Sequence, residues 1–589
     1  MEKVDPITLE VMRNAFYSIS DEMLASLVRT GFSTNIKDRG DCSSAIYTSS
    51  AEEVGQCAKG TPLHIGTLPA CVKTVIDTYR DRELNDGDHI IMNIPFPGGP
   101  AHLNDVAMVT PVFYKKKLIA WLGNQAHHVD LGGYAPGSMP CGVTEIYQEG
   151  LQIPPVKIGK QDKIDEELMS FINANVRTKI ESRGDTLAQI AANNVGKKRL
   201  LELADYYGVD TVLFYMEEII NYSERRMRAG IRQMPKGVYS FEDFLDDDGV
   251  KDELIKIKAT VHIREDSILV DFTGSAPQVR GGVNCGPSTV MACVYYVVLA
   301  VVDPDIPPNH GVRRPVEVLA PEGTVVNARF PTAVAHSNIV ASHRIVDATI
   351  GAFAKAVPEK VLAACNGTIN LFNIGAIDAK TDGFYNYIET YGGGQGASHD
   401  HDGMDGVHSH TSNTRNAPIE VIEISYPLKV HSQMLVPDSE GAGKYRGGLG
   451  MTREIEILSE NTVMTVSSDR HKIGPWGLFG GMSGSKAQCI ITSIDGTIRK
   501  LPSLKMTLPV NKHDIMKTIT PGGGGWGDPL ERDVDRVAWD AKEGFVSIER
   551  AKSIYGVVLN PVTFEVDTKS TSQLRMEMLR SRHAARVSP

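Results

Sequence analysis

Two short stretches hold the residue types from which chemistry is built: Gly98-Gly99-Pro100-Ala101-His102-Leu103-Asn104-Asp105 and Gln125-Ala126-His127-His128-Val129-Asp130-Leu131-Gly132-Gly133. The first sets a His and an Asp three positions apart, and the second returns a His after an apolar interval. Two neutral imidazoles and a carboxylate suit Zn²⁺, Mn²⁺ or Fe²⁺, with a coordination position left for water or substrate. The alternative is a set of loop histidines satisfied by backbone carbonyls, and no tight motif such as H-E-x-x-H decides between the two. Asp41, after Gly40 and ahead of an apolar stretch, is a carboxylate presented on a turn. His64, in Gly60-Thr61-Pro62-Leu63-His64, is either a hydrogen-bonder at a helix start or a member of the same site.

Other features invite a chemical reading and fail on spacing or context. Gly522-x-Gly524-x-x-Gly527 matches the dinucleotide pattern, but no βαβ unit with an acidic residue about 20 positions on can be built around it. It reads instead as a structural or subunit-contacting loop pinned by Trp526. In His399-Asp400-His401-Asp402, with His408 and His410 beyond, neighbouring residues of an extended segment point apart unless the chain bends. Neither a G-x-S-x-G elbow nor a G-x-x-x-x-G-K-[ST] phosphate loop occurs.

The elements that must position the first set are legible. Val106–Tyr114 and Leu118–Leu122 flank Lys115-Lys116-Lys117 as two β-rich segments about a charged turn. A hairpin would bring His102, Asp105 and His127 to one end. Asp5 as a cap and Pro6 at the first helical position begin a helix. In it Ile7, Val11, Met12, Phe16, Ile19, Met23, Leu27 and Val28 recur at helical spacing. Residues 162–232 are strongly helical, 252–274 alternate as a β-hairpin, 287–301 and 341–365 return to helical patterns, and much of 415–515 is β-like with glycine corners. The expected fold class is mixed α+β and multi-domain. Its parts would be an N-terminal metal-binding region with a helical insert (1–235), a β-rich, glycine-rich central and C-terminal region (236–530), and a helical tail (531–589).

Composition narrows the partners. Lys+Arg 61 against Asp+Glu 72 gives −11 without long single-sign runs, which argues against nucleic acid or an anionic membrane surface. No apolar run approaches the roughly 18 residues needed to span a bilayer, and the N-terminus lacks an apolar signal core. The eight cysteines are scattered and never form C-x-x-C, so a reduced, cytoplasmic compartment is expected.

Taken together, these segments resemble the hydantoinase B/oxoprolinase family. It includes the B subunits of ATP-dependent hydantoinases and caprolactamase, and the corresponding subunits of acetone and acetophenone carboxylases. The resemblance runs nearly end to end. It is carried by Asp5-Pro6-Ile7-Thr8-Leu9-Glu10-Val11, Asp41-Cys42-Ser43-Ser44-Ala45, His102-x-x-Asp105, His127-x-x-Asp130-Leu131-Gly132-Gly133, Asp271-Phe272-Thr273-Gly274 and Tyr445-Arg446-Gly447-Gly448-Leu449-Gly450, in that order. The resemblance implies a metal site on His102, Asp105 and His127, with Asp41 as a fourth ligand or the catalytic base. It also implies a hetero-oligomer in which Mg-ATP sits on a kinase-like, hydantoinase A-type partner. There is one departure: the family's Asn-Asp-Pro opening is here Asn93-Ile94-Pro95, with one extra residue before His102. The lost carboxylate leaves the substrate range open.

In the family's scheme the partner phosphorylates an amide or enol oxygen. Phosphorylation removes nitrogen's donation into the carbonyl and creates a leaving group. A divalent cation lowers the pKa of a bound water toward about 7, and Asp41 would orient or deprotonate that water. Three readings follow: a cyclic amidase opening a hydantoin, lactam or 5-oxoproline ring; a carboxylase subunit joining a phosphorylated enol of a ketone to carbonate-derived CO₂; and a non-catalytic scaffold for the ATP-binding subunit. The chain is shorter than expected of an acetone carboxylase large subunit, which favours hydrolysis.

Overall fold

The structure, a computed structural model, describes residues 4–587. The Asp5 carboxylate accepts from the Thr8 N–H and Pro6 takes the first helical position, so α1 runs Pro6–Thr30. Met12, Phe16, Ile19, Met23 and Leu27 turn inward, while Ile7 and Val11, which share their spacing, stay exposed. A single turn, α2 (Thr34–Lys37), leads to the first strand.

Strands β1 (Cys42–Thr48), β2 (Glu53–Gln56), β3 (His89–Met92), β4 (Asp105–Tyr114), β5 (Lys117–His127), β6 (Val156–Lys160) and β7 (Lys163–Ile164) form one antiparallel sheet. Their order is β2-β1-β5-β4-β3-β6-β7. Between β4 and β5, Lys115 and Lys116 both have positive φ (48° and 70°), as the two-residue turns that match strand twist require. On one face α3 (His64–Tyr79) packs Leu68, Val72 and Val75 against Tyr47, Val109 and Trp121. On the other, α1, α5 (Lys179–Tyr207) and α6 (Val209–Gln233) pack Phe16, Leu200 and Ile219 with Ile46 and Leu122, after the short α4 (Glu166–Ala174). Burial on both faces is why β4 reads as an apolar run and not an alternation.

A second sheet, β11-β10-β9-β8, comprises β8 (Gly237–Leu245), β9 (Ile255–Ile263), β10 (Ile268–Asp271) and β11 (Val316–Leu319). Helices α7 (Pro287–Val302) and α8 (Ser342–Phe353) share its apolar cluster. The helix expected over 341–365 ends at Phe353; Pro358 disfavours helical backbone at Val357, and only a short 3-10 turn, Pro358–Lys360, follows. Two further antiparallel sheets enclose a cluster around Ile374, Tyr387, Ile455 and Met516. Within the largely β-stranded 415–515, Ile419–Ser425 is helical and buries Ile422. Helices cover Val534–Lys542, Ile548–Ser553 and Thr568–Val587. No helix among the described residues is long and apolar enough to cross a membrane.

The glycine run near the C-terminus is interior. Gly441 N–H donates to Gly523 O (2.7 Å), Gly523 N–H to Gly448 O (2.8 Å) and Gly524 N–H to Ala364 O (2.8 Å). A Cβ on Gly523 would lie 1.9 Å from Gln395 O, and one on Gly524 2.0 Å from Trp476 O. Backbone packs directly on backbone, so side chains are excluded by space. Trp526 bridges to Tyr445 and Leu478 and is nearly buried.

Candidate metal centre

The loop ahead of β4 is fixed by amide clamps. Asn93 donates to Leu103 O and Leu151 O (both 2.9 Å) and accepts from Ile153 N–H. Asn104 donates to His128 O and Gly137 O (both 2.9 Å), and Ser337 Oγ to Ala101 O (2.8 Å). Asp105 opens β4, His127 closes β5, and the register sets them opposite each other. One possible donor atom from each of His102, Asp105 and His127 therefore lies within 4.8 Å of the other two, and all three residues are buried. His102 Nε2 is 3.4 Å from Asp105 Oδ1, and the two imidazole centroids are 5.0 Å apart.

Charge states suit ligation. Burial acts to raise the Asp105 carboxyl, but the His102 and His64 imidazoles outweigh it and hold the group well below the usual carboxylate range. Burial pushes the His127 imidazole down to about 4. At neutral pH the cluster thus presents an ionised carboxylate and a neutral imidazole, the forms that bind a metal. The donors fit a divalent cation by type, two imidazoles and a carboxylate, and His102 Nδ1 is buried without a hydrogen-bond partner; His102 Nε2 lies 3.2 Å from the Asn338 amide nitrogen and 3.4 Å from Asp105 Oδ1.

Asp41 stands at the wall and outside the tight cluster. Its carbonyl accepts from His127 N–H (3.1 Å), and Thr61 Oγ1 donates to its Oδ1 (3.0 Å). With His64, Asp105 and His127 it lines a cavity of about 20 Å³, room on the order of one water. His64 lies beside the cluster. It begins α3, its Nδ1 meets Ser43 Oγ (2.8 Å), and its Nε2 lies 3.7 Å from Asp105 Oδ2.

Three supporting residues were not visible in the spacing. Asn35 Nδ2 lies 3.0 Å from His127 Nδ1, and Arg39 donates to Asn35 Oδ1 (2.8 Å), Ile388 O (3.0 Å) and Thr390 Oγ1 (2.8 Å). Asn338 rides a π turn, Ser337–Ala341, ahead of α8. Such turns recur at functional sites, but only folding brings this one to His102.

The His399–His410 loop does not gather into a second site. His399 and His401 are exposed around Asp400, Asp402 pairs with Arg532 (2.7 Å), and His410 is buried on Asp347 (3.1 Å). Asp130 is structural, accepting from Gly132, Gly137 and Arg177. Ile94 does not line the cavity.

A mixed α+β chain of four sheets with a buried His–Asp–His cluster at a hairpin end defines a candidate metalloenzyme component. The chain belongs to the hydantoinase B/oxoprolinase family, whose model matches residues 5–529. It is 33% identical to the caprolactamase subunit beta of Pseudomonas jessenii, over 95% of this chain and 97% of that one. It is 32% identical to 5-oxoprolinase of Dictyostelium discoideum over 89% of its length, which spans 40% of that protein. The crystal structure of the ATP-dependent caprolactamase from Pseudomonas jessenii superimposes with a TM-score of 0.89 at 32% identity, covering 98% of this chain and 100% of that chain. A nucleotide-free acetone carboxylase structure superimposes at 0.91 over 98% of this chain and 84% of that one; at 21% identity it shows the shared fold.

Proposed function

We propose that this chain is the B-type subunit of an ATP-dependent cyclic amidase, hydrolysing a phosphorylated hydantoin, lactam or 5-oxoproline-type ring at a divalent zinc, manganese or iron site. The observation that carries this reading is the convergence of His102, Asp105 and His127, in a chain alike over nearly its whole length to a caprolactamase beta subunit. A divalent cation held by His102, Asp105 and His127 would supply Lewis acidity and acidify water. The chain's own residues do the rest. Asp41, steadied by Thr61, orients an attacking water and takes its proton as the water oxygen bonds to the ring carbon; the ring C–N bond then breaks with that proton passed to nitrogen, and a second water releases phosphate from the acyl phosphate left behind. Asn35 and Asn338 set the two imidazoles. Ile339, Ile369, Leu371 and Ile388 line the cavity and exclude bulk water.

The partner in this proposal is an A-type, kinase-like subunit that carries Mg-ATP. Elemental analysis is expected to show about one transition metal per chain, lost in His102→Ala and His127→Ala. Full occupancy in both variants would refute the site. The lone chain is expected neither to bind ATP nor to turn over substrate, and adding the A-type subunit restores both. Bicarbonate-dependent turnover of ketones would replace the amidase reading with the carboxylase one.

Asp41→Asn preserves shape and removes most of the basicity. It is expected to fold and abolish turnover; near wild-type turnover would exclude the base role. Loss of metal together with turnover would assign Asp41 as the fourth ligand.

A further inference from the structure

Beside the candidate metal centre lies a second, open cavity of about 580 Å³, within the ~300–1,000 Å³ range of small-molecule sites. The two spaces meet at Arg39, which lines both. Gly40 stands on the outer wall, and Asp41, next in the chain, on the inner. Opposite, Asn413 lines the outer cavity while its neighbours Ser412 and Thr414 line the inner one. The Asn413 amide donates to Gly60 O (2.9 Å), so a single thickness of chain divides the two.

The outer cavity has a charge that the whole chain does not. Arg29, Lys37, Lys59 and Arg415 line it together with Arg39, in a protein of net charge −11. Only Asp21 and Asp38 oppose them, and Asp21 already accepts from Ala58 N–H (2.8 Å). Arg29, Lys37, Lys59 and Arg415 pair with no carboxylate among the described residues. Four unpaired cations around one concavity focus a positive potential, and Lys and Arg are the side chains that take phosphoryl oxygens. Arg39 differs: its guanidinium is buried and engaged by Asn35, Ile388 and Thr390, so it acts as a fixed wall reaching toward His127.

We propose that this cavity receives the activated substrate by its phosphoryl group. Arg29, Lys37, Lys59 and Arg415 hold the anion while the organic part lies in the same cavity against Arg39, on whose other side Asp41 and the inner cavity stand. The proposal rests on the reading that substrate arrives phosphorylated. It also divides the available space sensibly, since the inner cavity has room on the order of one water and the outer one has room for the substrate.

Calorimetry of the full-length chain at constant ionic strength tests it, with phenyl phosphate and inorganic phosphate as probes. Phenyl phosphate is expected to bind at least about tenfold tighter than inorganic phosphate. Combining Lys37→Ala, Lys59→Ala and Arg415→Ala, all at exposed positions, is expected to weaken phenyl phosphate about tenfold or more with circular dichroism unchanged. His102→Ala, which tests the metal reading, is expected to keep phenyl phosphate binding, so the two proposals fail separately. Wild-type affinity in the triple variant, or no binding to the wild-type chain, would overturn the vestibule. Equal affinity for inorganic phosphate would make it a product exit and overturn the proposal as well.

Discussion

The two site histidines are oriented by amides. Asn35 meets His127 at Nδ1 and Asn338 meets His102 at Nε2, and partners on the ring nitrogen that does not ligate commonly control metal affinity. Asn35→Ala is therefore expected to weaken metal binding by about 10–100-fold while leaving the fold intact, as read by chelator competition. Unchanged affinity would make Asn35 a packing residue. Glu149 shows the opposite use of burial. Burial pushes its carboxyl up to about 8, even though Val334 and Ala335 N–H groups donate to Oε1. Because its folded pKa lies above the unfolded one, its contribution is full below about 4.5 and is lost as pH rises toward about 8. Glu149→Gln keeps an acceptor and cannot ionise. Its melting temperature should gain on wild type as pH rises from 5 to 8, an advantage on the order of a few kcal/mol at most. A constant difference across that range would show that Glu149 does not titrate there.

At the scale of elements, the β4–β5 hairpin makes the cluster and the glycine segments hold the distal half together. Their tolerance of a methyl group differs sharply by position. A Cβ on Gly448 would sit 1.8 Å from Met404 O, whereas one on Gly286 would meet nothing closer than Pro95 O at 3.8 Å, at an ordinary extended φ of −79°. Gly448→Ala is expected to prevent folding to a soluble product. Gly286→Ala should change stability by less than about 1 kcal/mol, checked by thermal melting. Similar melts for the two variants would mean that the glycine packing yields easily.

For the whole molecule, buried neutral histidines set an acid limit. Burial pushes His89 and His336 down to about 4, and His343 well below its usual value. Between about 6.5 and 4 the unfolded chain binds protons that the folded chain refuses, so stability falls as pH falls through that window. Each of His89 and His336 contributes on the order of 3 kcal/mol to that loss. Denaturant titrations at pH 7, 6 and 5 should show a midpoint declining with acid, partly recovered in His89→Gln. A flat midpoint would mean these imidazoles reach solvent when they protonate.

What the sequence determined by itself was local. Asp5-Pro6 started α1, the Lys115-Lys116 turn between two apolar runs made the hairpin, and a hairpin obliges its ends to meet, so His102, Asp105 and His127 were legible as one group before any fold was known. Capping, turn geometry and strand pairing act over a few residues and leave their mark in spacing. Tertiary structure decided what came from far away. Asn338 reaches His102 only through the π turn before α8, 236 positions along the chain. Ile419–Ser425 became helical inside a β-rich stretch, and the helix expected to 365 stopped at Phe353. The glycine run looked like a loop because glycine carries no pattern of its own. Its place in the interior comes from carbonyls of Gln395, Ser439 and Trp476, which approach closer than any Cβ would allow, and such contacts between distant segments exist only once the chain has folded.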